Sequence, residues 1–278
     1  MLAQYQIKVS AVRPVDSIVY IRGAVFDDKN FIPKDTIRLN GKSATLNVAK
    51  PIIGGLYFFY FPTSKQKVYF ILENKDTLSF RFFGSHYLDS MVTNTKKNKT
   101  LQSYQQLENK FAFVDSSYAA ELTKGKKFNL AQKAVFFKSK TDILIAFRKG
   151  ALARLQPADA LHIYFAGLNV LDASVPSRRD YVARSLFIKN FTFSSPKFLF
   201  TPIVRSVLTE YFSYYPLQAD SISKGVDTIM QQVACSTKIY PYVFDYFTKL
   251  LKNREIQNNT EAYAGFIEKY VNNKNNIY

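Results

Sequence analysis

The chain has 278 residues, 47% of them hydrophobic and 16% aromatic, with one Cys and no Trp. That is enough apolar side chain for one large core or two ordinary ones, and it excludes disorder over most of the length. Lys and Arg number 38 against 21 Asp and Glu, a formal net charge of +17, while no run reaches the roughly 18 consecutive apolar residues of a membrane helix.

The opening MLAQYQIKVS enters a strand-like alternation at Tyr5 with almost no lead-in. LAQ reads as the tail of a secretory signal, so a periplasmic or envelope location after its removal is expected. Next, YQIKV sets Tyr5, Ile7 and Val9 against Gln6 and Lys8, a period of two. SIVYIRGAVF and DTIRLNGKSATLNV follow, the latter with Asn40-Gly41, a strong short hairpin signal. GGLYFFYFP is aromatic, and KVYFILENKDTLSFRFF holds two strands around a turn at residues 73–76. About seven short strands with turn signals at close spacing predict an antiparallel β-sandwich over 1–88.

After residues 84–89 the apolar period becomes helical. LQSYQQLENKFAFV places Leu101, Tyr104, Leu107, Phe111 and Val114 on one face. Further helices are expected in TDILIAFRKGALARL and DALHIYFAGLNVL. In TPIVRSVLTEYFSYY, Thr201 is expected to cap and Pro202 to take the first turn. DSISKGVDTIMQQV is expected to start at a capping Asp220 and to stripe Ile222, Val226, Ile229 and Val233; later helices are expected from STKIYPYVFDYFTKLL and from a capping Thr260. The predicted class is α+β, a β-sandwich followed by an all-helical domain of antiparallel helices. That domain covers 89–278: a basic helical segment over 89–195, helical hairpins over 196–272 and a linker-like tail over 273–278.

The excess charge sits in the middle. Residues 91–190 carry 17 basic and 7 acidic side chains, whereas 1–90 carry 12 and 7 and 191–278 carry 9 and 7. Lys124, Lys126, Lys127, Arg178 and Arg179 are the candidate contacts to an anionic partner, with weak surface binding expected. No nucleic-acid-binding motif accompanies the charge, so no specific nucleic acid is expected.

Residues with catalytic potential are sparse. His86 and His162 are far apart and have no Cys or carboxylate at ligand spacing, so neither a metal nor a cofactor is expected. Phosphate-loop and nucleophile-elbow motifs do not occur. Cys235 has no second thiol to resolve a redox cycle. It is read as a structural cysteine filling a gap, since free Cys is among the most buried residue types.

VYIRGAVFDDKNFIPKDTIRLNGKSATLNVAKPIIGGLYFFYFP resembles the N-terminal β domain that precedes thioredoxin-like domains in envelope proteins of Gram-negative bacteria. The resemblance is carried by Lys34-Asp35-Thr36, by Gly41, and by Pro51, Gly54, Gly55 and Tyr57. The helical region is similar too, through Pro216, Asp220, Ser221 and Ile222; residues 91–190 match poorly. The resemblance implies an accessory region of a thiol-disulfide oxidoreductase whose C-x-x-C domain would follow the helices, with that domain, in cis, or a partner protein as the partner. No redox residue carries over. Two other expectations stand beside it: a free-standing envelope scaffold using a basic helical face, and an enzyme whose site appears only on folding.

Overall fold

The computed structural model describes residues 5–12, 16–25, 27–39, 43–123, 130–173, 195–213, 215–234, 236–252 and 256–272. The protein is α+β. Strands β1 (Tyr5–Val12), β2 (Ile18–Val25), β3 (Asp27–Arg38), β4 (Ser43–Val48), β5 (Gly55–Phe61), β6 (Gln66–Leu72) and β7 (Thr77–Phe83) come first. A one-turn helix α1 (Tyr87–Ser90) and a short β8 (Met91–Thr93) follow, then helices α2 (Lys96–Thr123), α3 (Leu130–Leu152) and α4 (Ala160–Ala173). Among the described residues the remaining helices are α5 (Pro196–Leu199), α6 (Val204–Ser213), α7 (Ala219–Val233), α8 (Tyr240–Leu251) and α9 (Asn259–Ile267), which widens into a π turn over Glu268–Asn272.

The strands form two four-stranded sheets in the orders β4-β1-β7-β8 and β3-β2-β5-β6. The expectation of a wholly antiparallel sandwich needs correction. β1 and β7 run parallel, with Ile7 beside Leu78 and Val9 beside Phe80. Parallel neighbours require a crossover, and here the chain passes through the other sheet between them. The short β8, beyond the expected end of the β region, pairs Phe80 with Thr93 on the edge of β7. The predicted 73–76 turn is present: Asp76 N donates to Glu73 O, Glu73 N donates to the Asp76 carboxylate, and Lys75 takes a positive φ of 68°. Asn40 and Gly41 lie outside the described residues.

The period of two makes the core. Tyr5, Ile7, Val9 and Ala11 of β1 and Leu78, Phe80 and Phe82 of β7 are buried. Phe59 from the second sheet sits among them, stacked on Phe70 at 4.3 Å and edge-on to Phe80 at 4.9 Å and Phe82 at 5.9 Å. Each such pair adds about 0.5–1.5 kcal/mol beyond its buried area. A polar node closes one end. The fully buried Asp16 carboxylate accepts from Thr63 N and from the Tyr87 hydroxyl, while Gln66 accepts from Tyr87 N and donates to Ser85 O.

Packing divides the chain into two compact units, Met1–Ala24 with Phe31–Phe165, and Val25–Asn30 with Ala166–Tyr278. The change from period two to period 3.6 near residues 84–90 does not coincide with this division, because α2 packs on the strands and α3 packs on α2. The reason is local. β6 is an edge strand, and α2 covers its free edge with side-chain amides. Asn98 accepts from Ile71 N at 2.6 Å and donates to Ile71 O at 3.1 Å. Seven residues on, Gln105 accepts from Tyr69 N at 3.0 Å and donates to Tyr69 O at 2.9 Å. Both amides imitate the backbone of a neighbouring strand and satisfy groups that an exposed edge would offer to another chain.

In the second unit the predicted stripe Ile222, Val226, Ile229 and Val233 of α7 is buried, with Val207, Leu208, Val243 and Phe247 from α6 and α8. Gly225 permits close approach: a Cβ there would lie 2.9 Å from the Phe212 and Tyr215 rings. The expected caps are corrected. Thr201 donates its hydroxyl to Phe198 O instead of capping a helix. α7 begins at Ala219, whose N donates to Gln257 O, and α9 is preceded by Asn258 in the left-handed region rather than by Thr260.

Asn98→Ala is expected to lower stability by about 2–4 kcal/mol, because it strands both backbone groups of Ile71 under α2. Ser103→Ala, on the exposed side of the same helix, should stay within about 0.5 kcal/mol. Urea titrations followed by circular dichroism compare the two; equal midpoints would show that the amide clamp carries no stability.

Candidate interaction surface

The basic middle of the sequence folds as α2 and α3 with a locked base and an open arm. At the base, Lys97 bridges Glu73 at 3.0 Å and Asp159 at 2.6 Å, joining the β6–β7 turn to the start of α4. Burial alone would lower its ammonium pKa, but the hydrogen bonds and charges of these two carboxylates overcome this and raise it. About two turns further along α2, Tyr104 sits under α3. The buried Arg148 guanidinium donates to its hydroxyl at 2.8 Å, and the Glu108 carboxylate is hydrogen-bonded to it as well. Phe165 closes on the Tyr104 ring at 4.9 Å. Burial pushes the Tyr104 phenol well up, with Glu108 adding and Arg148 opposing; Tyr164 beside it is raised chiefly by burial and Glu108. A neutral phenol between a cation and an anion is a linker, not a base, at ordinary pH.

Beyond Gln105 the arm changes character. From Gln106 to Ser117 on α2 and from Val135 to Ile143 on α3 no side chain is buried. From Gln105 to Thr123 a helix rises about 27 Å. The contacts holding the two arm helices together include Phe111 with Phe136, ring centroids 6.2 Å apart, and Lys140 with Asp115 at 2.6 Å. Large apolar residues remain uncovered: Phe113 is 75% exposed, Val135 69%, Phe137 41% and Ile143 44%. Each of the first three has a lysine three positions away, Lys110, Lys138 and Lys140 respectively, a spacing that puts the pair on one helix face.

The sequence reading named the charge of this segment but missed its exposed apolar face. The signal was present in KFAF and VFF. Two residues apart on a helix point about 200° from each other, so a single partner helix cannot cover both Phe111 and Phe113. Of the named candidates, Lys124, Lys126 and Lys127 fall between α2 and α3, Arg178 and Arg179 between α4 and α5, and Cys235 just after α7; all six lie outside the described residues.

A second concavity belongs to the helical unit. It is a half-open cavity of about 420 Å3 between α7 and α9, with Asp220, Asp227, Glu261 and Lys269 around a floor of Val226 and Phe266. Its charges have internal work. Asp227 pairs with Lys269 at 2.7 Å and accepts from the Tyr270 hydroxyl at 2.6 Å, and burial with that carboxylate raises the Tyr270 phenol. Asp220 and Glu261 lie in the first turns of α7 and α9, where acids complement the helix dipole. Among the described residues no group of three or more His, Cys, Asp or Glu could hold a metal ion. His162 is half-buried, and burial lowers its pKa against the opposing Asp159 charge. No helix among the described residues is long and apolar enough to cross a membrane.

Compared with protein-family models, with curated proteins and with solved structures, the chain finds no match in any of the three.

Burial pushes Tyr5 up to about 12, with the Asp35 charge adding, and raises Tyr57, Tyr104 and Tyr164 in the same direction. An unfolded tyrosine ionises near pH 10. The stability these groups contribute is therefore fully present below about pH 10 and is lost as pH rises through their folded values. Phenolate absorbance should rise in two stages, exposed tyrosines near pH 10 and the rest together with loss of the circular dichroism signal. All 19 tyrosines titrating in one stage with the dichroism intact would contradict the buried placement.

Proposed function

We propose that the chain is a non-catalytic binding module of the cell envelope, accessory to a thioredoxin-like disulfide reductase domain that acts in cis or as a partner protein. In this reading the α2–α3 arm is the element presented to the partner. The observation that carries it is the arm itself: Phe113, Val135 and Phe137 stay exposed beside lysines, on a base fixed by Asn98, Gln105 and the Arg148–Tyr104 contact. Exposed apolar clusters rimmed by polar groups mark interaction sites, and a rigid base lowers the entropy lost on binding.

The single cysteine supports the non-catalytic part. A dithiol cycle ends when a resolving thiol attacks the mixed disulfide, and Cys235 has no such partner in this sequence. The same exposed lysines favour a second reading, a free-standing envelope scaffold, which differs in having no reductase as its partner.

Insulin reduction with dithiothreitol as electron source should match the blank, and Cys235→Ser should fold and behave like the parent. Catalytic reduction of insulin that disappears in Cys235→Ser would make the thiol a working one and sink the module reading. Co-purification with a thioredoxin-like reductase separates the two forms of that reading: the accessory form requires it and the free-standing form does not.

A further inference from the structure

We propose that the outer edge of β4 takes one more strand, an extended segment of a partner protein that is apolar at its inward positions and acidic at its outward ones. The surface is separate from the α2–α3 arm and uses none of its residues.

The edges of the two sheets are treated differently. β6 is closed by Asn98 and Gln105. At the β8 edge Gln102 of α2 donates to Met91 O at 2.7 Å, and just past β8 Asn94 accepts from Ser79 N and donates to Thr77 O, each at 2.9 Å. The sequence of β3 holds Pro33 and six charged residues, a composition that discourages pairing with another chain. β4 has none of these devices. It reads SATLNV, without charge, Pro or Gly, and it meets β1 in unbroken register from Tyr5 beside Val48 to Ser10 beside Ser43. Every second residue of an antiparallel edge turns its N–H and C=O away from the sheet, and among the described residues no group meets those of β4.

Burial on the inward side is unfinished as well. Tyr5, Ile7 and Val9 of β1 are 0–1% exposed, but Val48, Leu46 and Ala44 opposite them are only half-buried. These three have a strand on one side only. An added strand about 4.8 Å away supplies the missing side with its apolar positions, while its main chain completes the edge. Charge selects the outward positions. The four strands of this sheet contain no Asp or Glu. Lys8 and Arg81 are exposed on the outward face, diagonal to each other in the register, and Lys50 is exposed two residues past β4. Asp76, just before β7, commits its carboxylate to Glu73 N. Lys8 lies two strand spacings, about 10 Å, from the added strand, a gap that a lysine and a glutamate close between them. A second copy fits less well, because it brings the acid-free face of a chain of net charge +17 against its own image.

The probe is a short, end-blocked, fluorescein-labelled peptide that alternates valine and glutamate. It is added to the full chain and read by anisotropy, with amide hydrogen exchange to locate it. The expected result is saturable binding that slows exchange of the β4 amides and weakens between about 0.1 M and about 1 M salt. A valine–lysine peptide should bind roughly tenfold more weakly or worse, and the valine–glutamate peptide N-methylated at alternate residues should not bind, since it cannot complete the edge. Leu46→Lys, which points a charge inward at the edge, should abolish binding. Lys8→Gln with Lys50→Gln should weaken it roughly two- to fivefold per lysine with circular dichroism unchanged. If Leu46→Lys does not fold, the methylated peptide and the exposed lysine pair decide alone. No saturation at peptide up to about 1 mM overturns the proposal, as does slowed exchange confined to other segments, or equal binding of the methylated or the lysine peptide. A chain that sediments as a dimer with its β4 amides already protected would make the occupant a second copy and overturn it too. The insulin assay, which decides the module reading, is independent of all these results.

Discussion

Two side-chain amides on α2 set the geometry of the first unit. A β-sheet ends in a row of unpaired backbone groups, and β6 is such an edge. Asn98 and Gln105 each complete one residue of that edge with an accepting oxygen and a donating nitrogen. Only an amide carries both functions in the geometry of a peptide. Because the two are seven residues apart, two turns of α2 are held along the strand, and the helix axis is fixed relative to the sandwich. Lys97, next to Asn98, then reaches Glu73 and Asp159, and Tyr104, next to Gln105, receives Arg148. The start of α4 and the base of α3 are placed by the neighbours of the same two amides.

The sandwich fixes itself in another way. Its centre is aromatic and non-directional, built on Phe59, Phe70, Phe80 and Phe82, and such a core tolerates several arrangements of similar volume. Register comes from polar groups at the ends. Asp16 is wholly buried and tied to the turn after β5 and to Tyr87, and Gln66 ties the same turn to residues 85–87. A shift of one residue in β5 or β6 would leave these groups unpaired in the interior, at a cost of about 1–3 kcal/mol each. A buried carboxylate with such partners is explained by architecture alone.

The sequence made the periodic features legible and left the long-range ones hidden. The strands from Tyr5 to Phe83 and the α7 stripe of Ile222, Val226, Ile229 and Val233 follow from local alternation, and the structure has them. The parallel β1–β7 pair was not legible, because alternation says which face a residue takes and nothing about its neighbour. Helix starts slipped for a related reason. Asp220 and Thr260 look like caps, yet the segment around Gln218 and Gln257 forms a backbone bridge, and a main-chain partner replaces the side-chain cap. The Asn98–Gln105 clamp was invisible for the same cause: both residues read as ordinary polar positions on a helix whose apolar face had been assigned. The named lysines, arginines and cysteine all lie outside the described residues.

The arm follows from where the clamp stops. Helix nucleation is the costly step and propagation adds one hydrogen bond per residue; the base of α2 is already nucleated on β6, so the helix can continue past Gln105 without a core beneath it. Among the described residues no third element covers Phe113 or Val135 there. Two helices bury one stripe each, and KFAF and VFF supply more apolar surface than two stripes absorb. Selection for stability alone would have made Phe113 and Val135 polar, since an exposed apolar residue on a helix contributes nothing to folding that Glu, Lys or Gln would not. Phe113 and Val135 nevertheless remain as exposed apolar groups beside Lys110 and Lys138, and the same clamp that covers the β6 edge is what holds that surface out.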